Sequence, residues 1–525
     1  LYVGFDTQLL SLQWIQAALL AQRFDPDATL EQLPGILMGT LFQTDIDFNV
    51  APFLGGEMAL VFPSTDALLD DANAETVVEN PGETAGDLAE GVVIIAIPSD
   101  LPAAERELTA VLDQQAADRN QIVEESTYRD RGIRFLPSNL VDGEPGLAIV
   151  NTGDALLLAT SPAQLEPFID RADGVGESIS DLDAWAAATS PLPESRLLLG
   201  FLNGPALMAD ALELEGFGPA IEAFIPGGAN AATGFAVRSE SDGFRVDTHT
   251  VSTNGEPLRT FGEHFEPALL SSLPAETQIG VSGNDFADTR LIDGVFAILF
   301  NAIFSSLGDM FVDFASEATP EAIPTTLDGA AAAAYALASS LLGIDLQRDL
   351  VDLIDEEYLL GIWNVGGTFS DPRVGFISET SDPAQVAQSL SGVTLVAGFL
   401  TGSNPATSAA GLTSFDIDGG ELAVGVIDDT FVTSFGGGGE ALLERPELAL
   451  IDTPLFQTVT EPLPADRSLL IYVNIEALQA GAAPVRMPGT FGLARTPLNG
   501  PAFAFAMFND GEDLGGQGYV YIPEP

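Results

Sequence analysis

The sequence predicts an α+β fold built by tandem duplication of one unit, each unit a mainly antiparallel sheet with helices packed on one face. Three observations carry this. Residues 189–207 (TSPLPESRLLLGFLNGPAL) and 460–478 (TEPLPADRSLLIYVNIEAL) align without a gap and share 10 of 19 positions. Residues 44–62 align in the same way on 344–362, with Asp45/Asp345, Glu57/Glu357 and Leu60/Leu360 identical. Both halves also repeat one grammar of buried strands, tight polar turns and amphipathic helices.

Each element follows in order. Residues 2–5 form a short strand, aligned on 278–281, and a capped helix comes next. Asp6 or Thr7 caps TQLLSLQWIQAALLAQRF, and Asp285 or Asp288 caps the run that ends at Phe304. The 44–62 and 344–362 segments read as a short helix leading into a strand. GVVIIAIPSDLPAAERELTAVLDQ (91–114) is a buried strand running into an amphipathic helix, with 373–395 as its partner. GLAIVNTGDALLLATSPAQLEPFID (146–170) and 421–445 each read strand, turn, strand, helix, turning at Thr152-Gly153-Asp154 and at Asp428-Asp429. Both halves close on a hairpin with an acidic, glycine-bearing loop. The units are 1–260 and 274–525, joined by a linker at 261–273. Residues 64–90 and 400–411 read as acidic or Gly/Ser/Thr-rich excursions.

Composition narrows the function classes. The 525 residues are 46% apolar and mean hydropathy is +0.24, so the chain can bury large cores. Asp and Glu total 77 against 18 basic residues, a net charge of −59, and all 18 are Arg. Such a surface repels nucleic acid and anionic lipid headgroups. Two explanations fit the acidity: a saline habitat, or a GC-rich genome in which Arg replaces Lys. The lack of cysteine excludes disulfides, thiolate metal sites and Cys nucleophiles. The best apolar run, 295–304, is too short to span a bilayer and reads as a buried helix. The chain opens at Leu1 inside a strand-like segment, so a signal peptide or membrane tether upstream is expected.

The order of elements, with the aromatic in DLDAWAAA, the Leu-Pro that follows it and the Asn-terminated strand LLLGFLNGPAL, resembles the bacterial family catalogued as domain of unknown function 3352. Members look exported or membrane-tethered. The resemblance implies no chemistry and assigns no catalytic residue.

The residues themselves point to little chemistry. A G-x-S-x-G elbow is missing, and without Lys no Schiff base can form. His249, in RVDTHTV, is expected on the polar face of a strand, and His264 in the linker. The glycine run 436–439 precedes a helix but lacks the P-loop Lys and hydroxyl. Asp416 and Asp418, and Asp510, Glu512 and Asp513, are weak Ca²⁺ candidates in loops. No catalytic residue and no cofactor beyond that Ca²⁺ is predicted.

Three pairs are predicted to be structural. Arg196 and Arg467 are expected to pair with carboxylates of their own units. Asn203 and Asn474 each end a buried strand, where an amide can cap backbone groups. Trp185 and its match Phe456 are expected to plug the core. The leading functional expectation is a non-enzymatic, extracytoplasmic bacterial protein acting through assembly or binding at the cell surface, with other surface proteins or itself as partner. A homo-oligomer joined through edge strands or the terminal segments is expected. The alternatives are a carrier for lipid or other apolar ligands, held between helices and sheet, and a hydrolase using acidic residues.

Overall fold

A computed structural model describes residues 1–8, 11–24, 51–62, 92–138, 146–211, 228, 230–258, 262–285, 345–364, 372–401, 405–408, 411–417, 420–436, 442–443, 446–481 and 501–524. The expected helix at 295–304, the excursion 64–90, Asp288, Asp418, the glycines 437–439 and the side chain of Asp416 lie outside that set.

The first half contributes β1 (Tyr2–Asp6), β2 (Glu57–Val61), β3 (Val93–Ile97), β4 (Glu124–Tyr128), β5 (Arg131–Leu136), β6 (Leu147–Asn151), β7 (Leu156–Ala159), β8 (Leu198–Asn203), β9 (Ala231–Ser239) and β10 (Gly243–Ser252). The second contributes β11 (Thr277–Asn284), β12 (Glu357–Asn364), β13 (Pro372–Glu379), β14 (Ala406–Thr407), β15 (Thr413–Ile417), β16 (Gly420–Ile427), β17 (Thr430–Phe435), β18 (Leu469–Asn474), β19 (Ala502–Asp510) and β20 (Asp513–Tyr521).

Among the described residues these strands form one sheet, and every pairing is antiparallel. From one edge the order is β4-β5-β6-β7-β3-β2-β1-β8-β9-β10. From the other it is β14-β15-β16-β17-β13-β12-β11-β18-β19-β20. The two paths meet where β10 pairs with β20. Adding ten to each strand number of the first path gives the second.

The register carries the same relation. Phe201 lies opposite Gly234 as Tyr472 lies opposite Ala504, and Gly234 lies opposite His249 as Ala504 lies opposite Tyr519. At the meeting ladder, Asp247 lies opposite Gln517, the residue that holds its place in the other half.

The expected equivalence of 2–5 with 278–281 is corrected by two residues. Tyr2 and Phe201 are paired as Gly280 and Tyr472 are, so 2–5 correspond to 280–283. A slip of two preserves the alternation of faces, so a hydrophobic pattern cannot detect it.

Helices cover both faces of the sheet, not one. In the first half, Ile94 and Ala96 pack with Leu108 and Leu112 of the helix Leu101–Asp118. Val93, the residue next to Ile94, packs on the opposite face with Leu165 and Ile169 of the helix Pro162–Ala172. In the second half, Phe376 packs with Val386 and Leu390 of the helix Pro383–Thr401, while Ile377, on the opposite face, belongs to a separate cluster with Leu442 and Leu450. Strands buried on both sides read as unbroken apolar runs such as VVIIAI, which conceal that two layers are needed.

Local sequence explains the helix ends. Asp100 accepts from the Ala103 amide at 3.0 Å, with Pro102 in the first turn. Gln164 reaches back to the Ser161 amide at 3.1 Å to close a capping box. Two hairpins escaped the sequence reading. β4 and β5 turn at Arg129-Asp130, with φ of 46° and 61°, and β14 lies in the segment read as an excursion. No helix among the described residues is long and apolar enough to cross a membrane.

Candidate functional site at the seam between the halves

The β10–β20 ladder gathers charged side chains that are mostly buried. Residues 245, 247 and 249 of β10 alternate onto one face, beside Arg238 of β9 and Gln517 and Tyr519 of β20. Two short helices, Asp183–Thr189 and Pro454–Thr460, flank this face.

Each carboxylate here has a partner. Asp247 is buried and accepts from Arg238 Nε and Nη2, both at 2.9 Å. Glu240 lies 3.5 Å from Arg245 Nε. Asp242 accepts from the Tyr519 hydroxyl at 2.6 Å. Burial, and then that acidic partner, push the Tyr519 phenol far above its usual value. Asp513 lies 3.3 Å from His249 Nε2.

Arg245 also donates to the Pro462 carbonyl, and Arg23, on the helix Leu12–Phe24, donates to the Ile522 carbonyl. Two arginines of the first half therefore fasten onto backbone of the second. Gly243 lets the strands close, since a Cβ there would sit 2.0 Å from the Val520 carbonyl oxygen.

The structure places the predicted residues as follows. His249 is buried at 8% exposure, not on a solvated face, because the helix Asp183–Thr189 packs over β9 and β10 beside it. His264 is exposed and lies 3.0 Å from Asp466. Arg196 does not pair with a carboxylate among the described residues; its Nη1 donates to the Pro193 carbonyl at 2.8 Å. Arg467 buries Nε and Nη1 without a hydrogen-bond partner, and desolvation lowers its pKa. The nearest acids, Glu194 and Asp466, stand exposed in these turns, Asp466 beside His264, while the two arginines fold inward.

Trp185 and Phe456 occupy matching places. Trp185 meets Phe201 at 5.1 Å between ring centroids, and Phe456 meets Tyr472 at 5.2 Å. Burial pushes the Tyr472 phenol up to about 12. Thr189 and Thr460 both bond back to the carbonyl four residues earlier, at 2.7 and 2.8 Å. Asn474 caps the helix Ile475–Gly481 by accepting from the Ala477 amide at 3.0 Å. Asn203 ends β8 at the start of the helix Gly204–Ala211. Asp510, Glu512 and Asp513 share the β19–β20 turn, and Asp513 is turned toward His249. Among the described residues no group of three or more acids or histidines is arranged to hold a metal ion.

Sequence reasoning aligned Glu357 with Glu57 but missed its role. Glu357 is 8% exposed and accepts from the Leu269 amide at 2.8 Å and the Ala268 amide at 3.0 Å, which docks the turn that leads from the linker into β11. Glu57 instead accepts from the Tyr2 hydroxyl at 3.2 Å. Desolvation pushes the Glu357 carboxyl up to about 7, with Glu379 adding to it, against the lowering effect of the two amides. A carboxyl raised above its unfolded value favours folding while it is protonated. That contribution is lost as pH rises from about 4.5 through about 7. Wild type should therefore lose roughly 1–2 kcal/mol relative to Glu357→Gln between these limits, less than the full ~1.4 kcal/mol per pK unit because solvent screens part of the carboxylate. Urea titrations of both proteins across that range check it, and parallel pH profiles would refute it.

The seam binds charge to charge; it does not present a free nucleophile beside a base. No curated protein and no solved structure matches the chain. The family described as "Protein of unknown function (DUF3352)" matches residues 12–491, most of the length, and the chain belongs to that family.

Proposed function

We propose that the chain is a non-enzymatic extracytoplasmic bacterial protein that acts by binding or assembly at the cell surface, and that its body is a tandem duplication with units at 1–260 and 274–525. The observation that carries this reading is the β10–β20 ladder. It joins two ten-strand paths of identical order into one sheet, with Asp247 and Gln517 facing each other at the middle. A sheet so continuous is a rigid body that offers related surfaces at two places, which suits binding better than turnover. A membrane tether upstream of Leu1 fits the same reading. Antibody labelling of intact cells, with fractionation, tests it; a protein found only in the cytoplasm would refute it.

The acidity adds an expected result. With −59 charges, self-repulsion is large and screened within roughly 10 Å at 0.1 M salt, so the melting temperature should rise with NaCl. Millimolar Ca²⁺ should act likewise if the acidic loops bind it. A melt that does not move with salt would count against the reasoning.

One observation favours the carrier as a second reading. On the face of the seam opposite Asp247, the half-buried Val237, Phe244, Val246, Phe503, Phe505 and Val520 form an apolar floor without a carboxylate. Native mass spectrometry of protein purified from its own host separates the readings, since a carrier retains lipid.

A further inference from the structure

We propose that the open edge of β4 is a docking site for an extended, basic segment of another protein, which adds to the sheet as its next strand. The proposal deepens the binding reading above and rests on it.

Among the described residues β4 is the outermost strand of its half and pairs only with β5. The two-residue turn Arg129-Asp130 makes Tyr128 and Arg131 the closing pair of the hairpin. Hydrogen-bonded pairs alternate from there, at Ser126 with Ile133 and at Glu124 with Phe135. The N–H and C=O groups of Glu125 and Thr127 therefore point away from β5, and both residues are exposed. At the other end of the sheet, β14 offers only two residues.

Side chains along the edge choose the partner. Glu124 and Glu125 are exposed, and Ile122, just ahead of them, is 81% exposed. Arg134 leans toward Asp113 at 2.9 Å and stands 3.8 Å from Glu125, which leaves the acidic end short of positive charge. A strand with Arg or Lys opposite Glu125 on one face and an apolar side chain over Ile122 on the other complements this edge. A second copy of the chain does not: it carries −59 and only 18 basic residues. The acids also discourage neutral strands from adding at random.

The probe is a blocked peptide of alternating arginine and valine, titrated against the full chain at low salt. Saturable binding is expected, with slowed amide exchange at Glu125 and Thr127. Thr127→Pro removes one outward N–H, keeps the charge and spares the bonds to β5, so the hairpin should fold. It should weaken binding about tenfold. Glu125→Arg should weaken it too, through charge, with the amides still free. No binding by the wild type, or equal binding by Thr127→Pro, would overturn the proposal, the latter meaning attraction by charge alone. Surface labelling of cells is a separate test, so an intact surface location with a failed peptide titration condemns the edge and leaves the broader reading standing.

Discussion

Trp363→Ala should cost about 3–5 kcal/mol of stability, the range for deleting a fully buried large aromatic. Trp363 is 2% exposed and lies across two glycines of its own sheet. A Cβ on Gly375 would stand 2.9 Å from the indole ring, and one on Gly361 3.3 Å from it. The surrounding cluster includes Leu273, Leu359, Leu442 and Leu450. Removing the indole leaves a hole that neither glycine has a side chain to fill, and both sit in paired strands that cannot collapse. Trp363→Phe should recover much of the loss. Urea denaturation followed by far-ultraviolet circular dichroism checks this, and a cost below about 1 kcal/mol, the level of an ordinary surface change, would refute the packing.

Asp247→Ala should cost about 2–4 kcal/mol and loosen the seam first. Breaking a buried pair by removing one member leaves the other charge uncompensated. Arg238 would lose the one carboxylate it pairs with among the described residues, while facing Arg245 directly across the ladder. The figure sits below the usual 3–5 kcal/mol because solvent still reaches part of the Arg238 side chain. Replacing both partners, with Arg238→Met and Asp247→Leu, should cost less than Asp247→Ala alone. Limited proteolysis should then show early cleavage between the halves in Asp247→Ala and not in the double variant. Equal costs in the single and double variants would mean that the pair is not coupled.

Much of the fold was legible in the chain because it depends on local pattern. The alternation in β9 and β10 and the turns at Gly153 and Asp428 depend on neighbours within a few residues. Within the 189–207 and 460–478 match, Thr189 and Thr460 close the same turn, while Arg196 and Arg467 differ in their partners. Runs such as VVIIAI announced burial, but an apolar residue does not say which layer covers it, so the helices were expected on one face and stand on both. The seam was invisible for a related reason. Arg238, Asp247, Tyr519 and Asp242 come from strands up to 281 residues apart (238 to 519), and nothing local marks them as neighbours.

The termini make the same point. LYVGF and GYVYIP read as strands free to pair with other chains, yet β1 lies between β2 and β8, and β20 between β10 and β19. A strand's sequence records its propensity and its two faces, while its place in the sheet is set by long-range hydrogen bonds that every strand can make. By itself the sequence determined the class of the fold, the order of many of its strands and turns, its acidity and its freedom from cysteine chemistry. Only the tertiary structure decided which strands became edges, which faces became buried and which acids found an arginine, because those outcomes depend on partners far apart in the chain.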